Sequence, residues 1–392
     1  MRYFLILLLP IFLFSNSGLL KDSKQTLLEN QRKEAELKGD LYKNLWWGGL
    51  QLEASYNWTD TPNQKKPTER VSDDFLNMKA TISQDIFRSG GIYWQIRKGK
   101  VFKSLNKMIL DKQEKNLIFT LYSLVLQIKK LDIGIQKQQL SIKNQNILIT
   151  NQKDKYINGM IDISILDESI IQLNSLKNGE EGIVQQRIDL IANLKDITNL
   201  DYKQIKVPKF SMISIDRFLN KNIELNIQNQ LIEQSRIEKN LAYSKFLPKV
   251  SVYGSHQYEN SLMFPEERNS FRYGVKLTIP IGFNFSDAIE TAKVVYLRTQ
   301  SELIDKKDTQ KNIYSKIISK LESIKRRVKN SQELIQSYQS IYEITNEYYK
   351  SDLKTKDDVT ILKNRVDISK FDLDIYAIDK ELTTLILYQL IL

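Results

Sequence analysis

The chain has 392 residues and a formal net charge of +11, but only 14 Gly and 7 Pro punctuate it, so long uninterrupted elements are expected. It contains no Cys, which excludes disulfides, thiolate metal sites, a cysteine nucleophile and a lipidated N-terminal cysteine, and leaves the redox compartment open. Lys and Arg are dispersed among 47 acidic residues instead of forming the patch that nucleic acid requires, and the densest basic run, Lys325 to Lys329, reads as a solvated helix face rather than a phosphate site.

Arg2 precedes the apolar run Phe4 to Phe14, and Ser15-Asn16-Ser17 supplies a small-x-small pattern before Gly18. Residues 1–17 therefore read as a secretory signal peptide, with a buried N-terminal helix as the alternative. The run is too short for a transmembrane helix of about 20 residues. Leu19 to Leu45 reads as a helix leading into the first strand.

Strict alternation then marks two strands, at about 50–59 and 75–86. Leu50, Leu52, Ala54, Tyr56 and Trp58 share one face of the first; Leu76, Met78, Ala80 and Ile82 share one face of the second. A second pair follows at about 249–258, where the pattern is weaker, and 271–283, where Phe271, Tyr273, Val275, Leu277 and Ile279 oppose Arg272, Gly274, Lys276 and Thr278. The alternating segments are about 9 or 10 residues long, enough for a tilted strand to cross a bilayer. All four Trp lie in or beside the first pair, and Tyr and Phe accompany the second, as aromatic girdles would. A soluble four-stranded sheet packed on helices is the alternative. The polar face, with Glu53, Lys79, Arg272 and Lys276, suits a wet lumen or bulk water equally, so the strands alone leave both open.

The helical stretches narrow the choice. From Leu117 to Tyr156 apolar residues recur at 4-3 spacing, with Leu126, Ile133, Leu140 and Ile147 as a second seam. From Ile317 to Tyr349 the pattern returns, with Leu334, Ile341 and Tyr348 as its second line. Such heptads mean coiled-coil packing, and two seams per helix mean a neighbour on each side. At 1.5 Å per residue a helix from Ile92 to Tyr156 would be roughly 100 Å long.

The two halves repeat. Met78 onward aligns with Val275 onward, 197 residues later, and Tyr156 onward with Tyr349 onward, 193 residues later. The expected organisation is a first repeat over 18–215, closed by a linker at about 199–215, and a second over 216–392. Each runs helix, strand, strand, long helix, turn, returning helix, with turns at Asn158-Gly159 and Ser351-Asp352. No phosphate loop is present, His256 is the only His, and Asp73-Asp74 and Glu180-Glu181 are adjacent carboxylates that point apart. No catalytic, metal or cofactor site is expected.

These features together resemble the TolC family of outer-membrane efflux proteins. The resemblance covers nearly all of the chain after the leader. It rests on the tip pattern Tyr156-x-x-Gly159 with Leu166, on Gln84-Asp85-Ile86-Phe87 followed by Gly90-Gly91, and on Leu247-Pro248 leading to the Leu277-to-Phe283 stretch. Asp352 stands where the family favours Gly, and the first strand lacks the preceding proline.

The resemblance implies a mainly α protein with a small β part. Four strands per chain would complete a trimeric 12-stranded membrane barrel, because open edges are not tolerated in lipid, and a coiled-coil helical barrel would continue it. The lipid-facing residues would be Leu50, Leu52, Tyr56, Trp58, Leu76, Met78, Ile82, Phe271, Tyr273, Val275, Leu277 and Ile279. The implied function is export from an inner-membrane efflux pump or ABC transporter, through a periplasmic adaptor, to the exterior, with no nucleic acid involved. The implied location is the bacterial outer membrane, extending into the periplasm.

In the family a tip Tyr, a basic residue five positions on and an acidic residue nine positions on hold the periplasmic end shut. Tyr349, Lys354 and Asp358 match, with Asp352 and Asp357 beside them; the first half keeps Tyr156, Gly159 and Ser164, with Asp162 and Glu168 nearby. A solvated turn would carry such charges too. The rival reading is a periplasmic coiled-coil scaffold without a pore.

Overall fold

The computed structural model describes residues 18–62, 68, 70–261, 267–282 and 284–391; the leader expected at 1–17 and Phe283 lie outside them. The elements run α1 (Asp22–Asn44), β1 (Leu50–Pro62), β2 (Arg70–Phe87), α2 (Gly91–Ile157), α3 (Ile163–Lys195), α4 (Ile215–Asn220), α5 (Ile223–Lys245), β3 (Lys249–Ser261), β4 (Glu267–Thr278), α6 (Phe285–Lys350) and α7 (Lys356–Gln389). The second series, from α4 onward, repeats the first, with one helix added by a break at Lys221-Asn222. There Asn222 bridges to Ile391, and the N–H of Ile223 donates to the carbonyl of Leu390 at 2.9 Å.

The chain forms two compact units, each drawing on both series. The first comprises residues up to Glu29, Asp111–Ile223 and Asp308–Leu392. Its core is built on the heptad seam of α2, where Leu121 and Ile128, with Val125 beside them, are fully buried and pack with the buried Leu194 of α3, Leu385 of α7 and Tyr202 and Ile205 of the linker. Lower on α2 every second seam position is Gln, alternating with Ile135, Ile142 and Ile149. Gln amides donate to α3 carbonyls, Gln138 to Leu176 at 2.7 Å and Gln145 to Ser169 at 2.9 Å. The linker is fastened by Asp132, whose carboxylate accepts from Arg187 at 2.5 Å and from the Tyr202 hydroxyl at 2.9 Å. A second cluster joins Ile213 and Phe218 to Ile317 of α6 and Leu387 of α7.

The second unit comprises Asn30–Leu110 and Glu224–Lys307 and holds the sheet. Its helical part brings α1 onto α2 at Gly99, where a Cβ would lie 2.5 Å from the Gly39 carbonyl oxygen, so no larger residue fits. Beside that crossing Lys103 pairs with Asp40 at 2.7 Å, and Arg97 reaches Glu233 of α5 at 2.7 Å. The sheet is antiparallel in the order β1-β2-β3-β4, with β1 and β4 as its edges.

All four strands differ in extent from the alternating segments. β1 and β2 continue their pairing to Pro62↔Arg70, and β3 extends to Ser261, because backbone pairing persists into polar sequence where no two-faced pattern remains. β4 starts earlier, at Glu267, and stops at Thr278, short of the expected 283. Pro280 follows and has no N–H to donate to a ladder. Ile279, read as a strand residue, therefore lies just beyond β4.

Candidate functional site

Two places carry the residues of interest, the sheet in one unit and the helix turns in the other. In the sheet, the register aligns the alternation of all four strands into rows. Leu50, Ile82, Gly254 and Tyr273 form one row; Leu52, Ala80, His256 and Phe271 the next; Ala54 and Met78 then continue to Tyr258. Between them run the polar rows, Gln51, Thr81, Ser255, Arg272 and Glu53, Lys79, Gln257, Ser270. A bulge at Asp85/Phe87 restores the apolar face at the lower end, where Phe87 meets Val250 and Leu277.

The apolar face is uncovered. Leu50, Leu52, Tyr56, Trp58, Met78, Ile82, Phe271, Val275, Leu277 and Ile279 are exposed, Tyr273 is 88% exposed, and Leu76 is half-buried. A sheet packed on helices would bury this face, so the soluble-sheet alternative does not describe the chain. The weak third strand is carried by its neighbours' rows: Gly254 pairs with Ile82 and Tyr273, and the His256 ring lies tilted against Phe271 with centroids 4.4 Å apart. His256 thus belongs to the apolar face. Among the described residues no group of three or more His, Asp or Glu stands together as a metal site.

The helix turns are built alike. At the end of α2 the N–H of Met160 donates to the Lys155 carbonyl at 2.8 Å and that of Gly159 to Tyr156 at 2.9 Å. At the end of α6 the N–H of Leu353 donates to Tyr348 at 2.8 Å and that of Asp352 to Tyr349 at 3.1 Å. Both are left-handed C-terminal caps, Gly159 at φ +68° and Asp352 at +57°. The following helices are capped at matching positions. Asp162 accepts from the N–H of Ser164 at 2.8 Å, which holds its carboxyl below the usual range, with the Ser164 hydroxyl adding to the effect. Thr355 and Asp358 form a reciprocal capping box.

The turns therefore carry the expected residues, and within one copy their contacts are local. Tyr156 and Tyr349 end their helices, both exposed. The Asp358 carboxylate is occupied by the N–H and hydroxyl of Thr355, at 3.1 and 3.0 Å. Among the described residues Lys354 makes no ion pair with it; Ser164, Glu168 and Lys354 are exposed, and Asp357 and Asp358 partly so. Asp357 instead lines a groove of about 490 Å³ between α2 and α7, with Gln139, Lys143, Asn146 and Thr150. Two residues were missed: Met160, 72% exposed, and Leu353, 70% exposed, put an apolar side chain at the same point of each turn. The 193-residue offset pairs them in the sequence.

No protein-family model matches the sequence, and no curated protein matches it. Solved structures do. The chain is similar to the CmeC outer membrane channel of Campylobacter jejuni, at 16% identity and a TM-score of 0.73 over 95% of this chain and 83% of that one. It is similar to the outer membrane protein VceC of Vibrio cholerae, at 13% identity and a TM-score of 0.71 over 91% of each chain. It also matches the open state of the MtrE outer membrane channel of Neisseria gonorrhoeae, at 13% identity and a TM-score of 0.67 over 93% of this chain and 86% of that one. The chain therefore has the fold of the TolC-like outer-membrane channels.

Proposed function

We propose that this protein is a trimeric export duct of the bacterial outer membrane, extending into the periplasm, and not an enzyme. One observation carries the reading: an open four-stranded sheet whose register collects the apolar side chains on one uncovered face, with both edges unpaired among the described residues. In water such a face would aggregate; in lipid it is stable only if every edge is closed. Four antiparallel strands place β4 of one copy antiparallel to β1 of the next. Three copies give twelve strands, within the range of membrane barrels. The polar rows then line the lumen. Among the described residues no helix is long and apolar enough to cross a membrane.

Substrate reaches such a duct from partners. The exposed apolar Met160 and Leu353 at the turns, with the groove beside Asp357, suit a periplasmic adaptor that links the duct to an inner-membrane efflux pump or ABC transporter. We place the closed end at the same turns, where Tyr349, Lys354 and Asp358 of one copy would meet its neighbour, with Asp162 and Glu168 from the other hairpin. The test is fractionation and size. The mature protein should sediment with outer membranes and run as a trimer in detergent, and a soluble monomer would refute the proposal, leaving the pore-free scaffold.

A further inference from the structure

The first unit orders its long helices by contact. Gln138 and Gln145 tie α2 to α3. Lys130–Asp379 and Lys137–Asp372, each at 2.6 Å, tie α2 to α7. Ile317 packs with Leu387, and the Arg365 guanidinium stands 5.9 Å over the Tyr338 ring, tying α7 to α6. The series is α3, α2, α7, α6, and among the described residues no hydrogen bond, ion pair or ring contact joins the two outer helices.

Each outer helix nevertheless carries a second stripe. On α6, Lys320, Arg327, Leu334, Ile341 and Tyr348 recur every seven residues, about 100° from the seam that packs on α7. On α3, Ile163, Ile170, Glu181 and Ile188 share a face turned away from α2. All nine are exposed. Among the described residues Arg327 and Glu181 have no ion-pair partner.

The same contacts fix relative heights along the antiparallel helices. Carrying Leu176/Gln138, Lys137/Asp372 and Arg365/Tyr338 through the series puts Arg327 level with Glu181 and Lys320 with Ile188. Ile341 falls within one helical turn, about 5.4 Å, of Ile170. A rotation axis parallel to the helices moves a copy sideways and leaves heights unchanged.

We infer that the α6 stripe of one copy seats against the α3 stripe of a second copy, with Arg327 paired to Glu181 across the joint and Ile341 packed on Ile170 below it. The basic part of one stripe meets the acidic residue of the other, and apolar meets apolar nearer the turns. This seam rests on the trimer proposed above and assigns the residues that set its register.

The cysteine-free chain permits a direct test. In full-length protein in membranes, Ile170→Cys with Ile341→Cys should give a covalent trimer on mild oxidation. Ile170→Cys with Glu343→Cys, on the opposite flank of α6 at nearly the same height, should not. In the cross-linkable background Arg327→Glu or Glu181→Arg alone should lower the covalent yield several-fold, and the two together should restore it. A trimer by size that cross-links no better at 341 than at 343, or a double reversal as weak as the single ones, overturns the seam while leaving the duct intact. A protein that stays monomeric overturns both.

Discussion

The sheet allows a one-residue contrast. Ile82 stands in a central strand, in the row with Leu50, Gly254 and Tyr273, while Thr81, its neighbour, lies in the polar row with Gln51, Ser255 and Arg272. At about 3.4 Å per residue and a tilt of roughly 40°, successive rows on one face rise about 5 Å, so the apolar face from Ile279 to Tyr56 spans about 25–30 Å, with Ile82 near its middle. Ile82→Arg then places a guanidinium at the bilayer midplane, at about 2–4 kcal/mol per copy, or about 6–12 kcal/mol for a trimer. That is comparable with the whole stability of an ordinary domain, about 5–15 kcal/mol. Thr81→Arg puts the same group into a wet lumen. The yield of trimer extracted from outer membranes should collapse for Ile82→Arg and stay near the parent for Thr81→Arg. Equal yields, or a worse result for Thr81→Arg, would refute the orientation of the sheet.

Asp352 occupies a left-handed conformation that glycine adopts without strain; Asp352→Gly should stabilise its hairpin by about 0.5–1 kcal/mol in a denaturant titration. Thr355→Ala removes the capping partner of Asp358 and should cost about 0.5–2 kcal/mol, seen as faster hydrogen exchange in the first turn of α7. Lys354→Ala should raise resting conductance at unchanged trimer yield; unchanged conductance would mean that Lys354 is a solvated turn residue. Burial pushes the Lys115 ammonium down to about 8 beside the Phe119 ring. Because its folded pKa lies below the unfolded value of 10.5, its charge opposes folding fully below pH 8, and stability should recover as pH rises from 8 to 10.5. Lys115→Met should raise the melting temperature at pH 7 and abolish that recovery.

Much of this fold was legible because its periodicities are long. The 4-3 spacing of α2 and α6 and the alternation in β4 each persist over many residues, and the 193-residue offset carries from sequence into matching caps at Gly159 and Asp352. What escaped depends on partners the sequence does not display. β3 reads weakly because Gly254 and His256 hold its apolar-face positions, paired with Ile82 and Tyr273 and with Ala80 and Phe271, which is visible only once register is known. Strand ends escaped because alternation ceases where both sides become polar, although the ladder continues to Pro62↔Arg70. At the turns, the spacing of Tyr349, Lys354 and Asp358 was legible, but the engagement of Asp358 by Thr355 was not, because a capping pair shows only once the helix start is fixed. Met160 and Leu353 were passed over because an apolar residue in a turn has no periodic pattern to mark it.

In the proposed trimer, three copies of this sheet enclose a water-filled path through a membrane. Planar-bilayer recording of the purified protein measures that directly, with Lys354→Ala beside the parent at one salt concentration. Discrete single-channel steps from the trimer are the expected result. A trimer that inserts into the bilayer without passing current, in the parent and the variant alike, would contradict it.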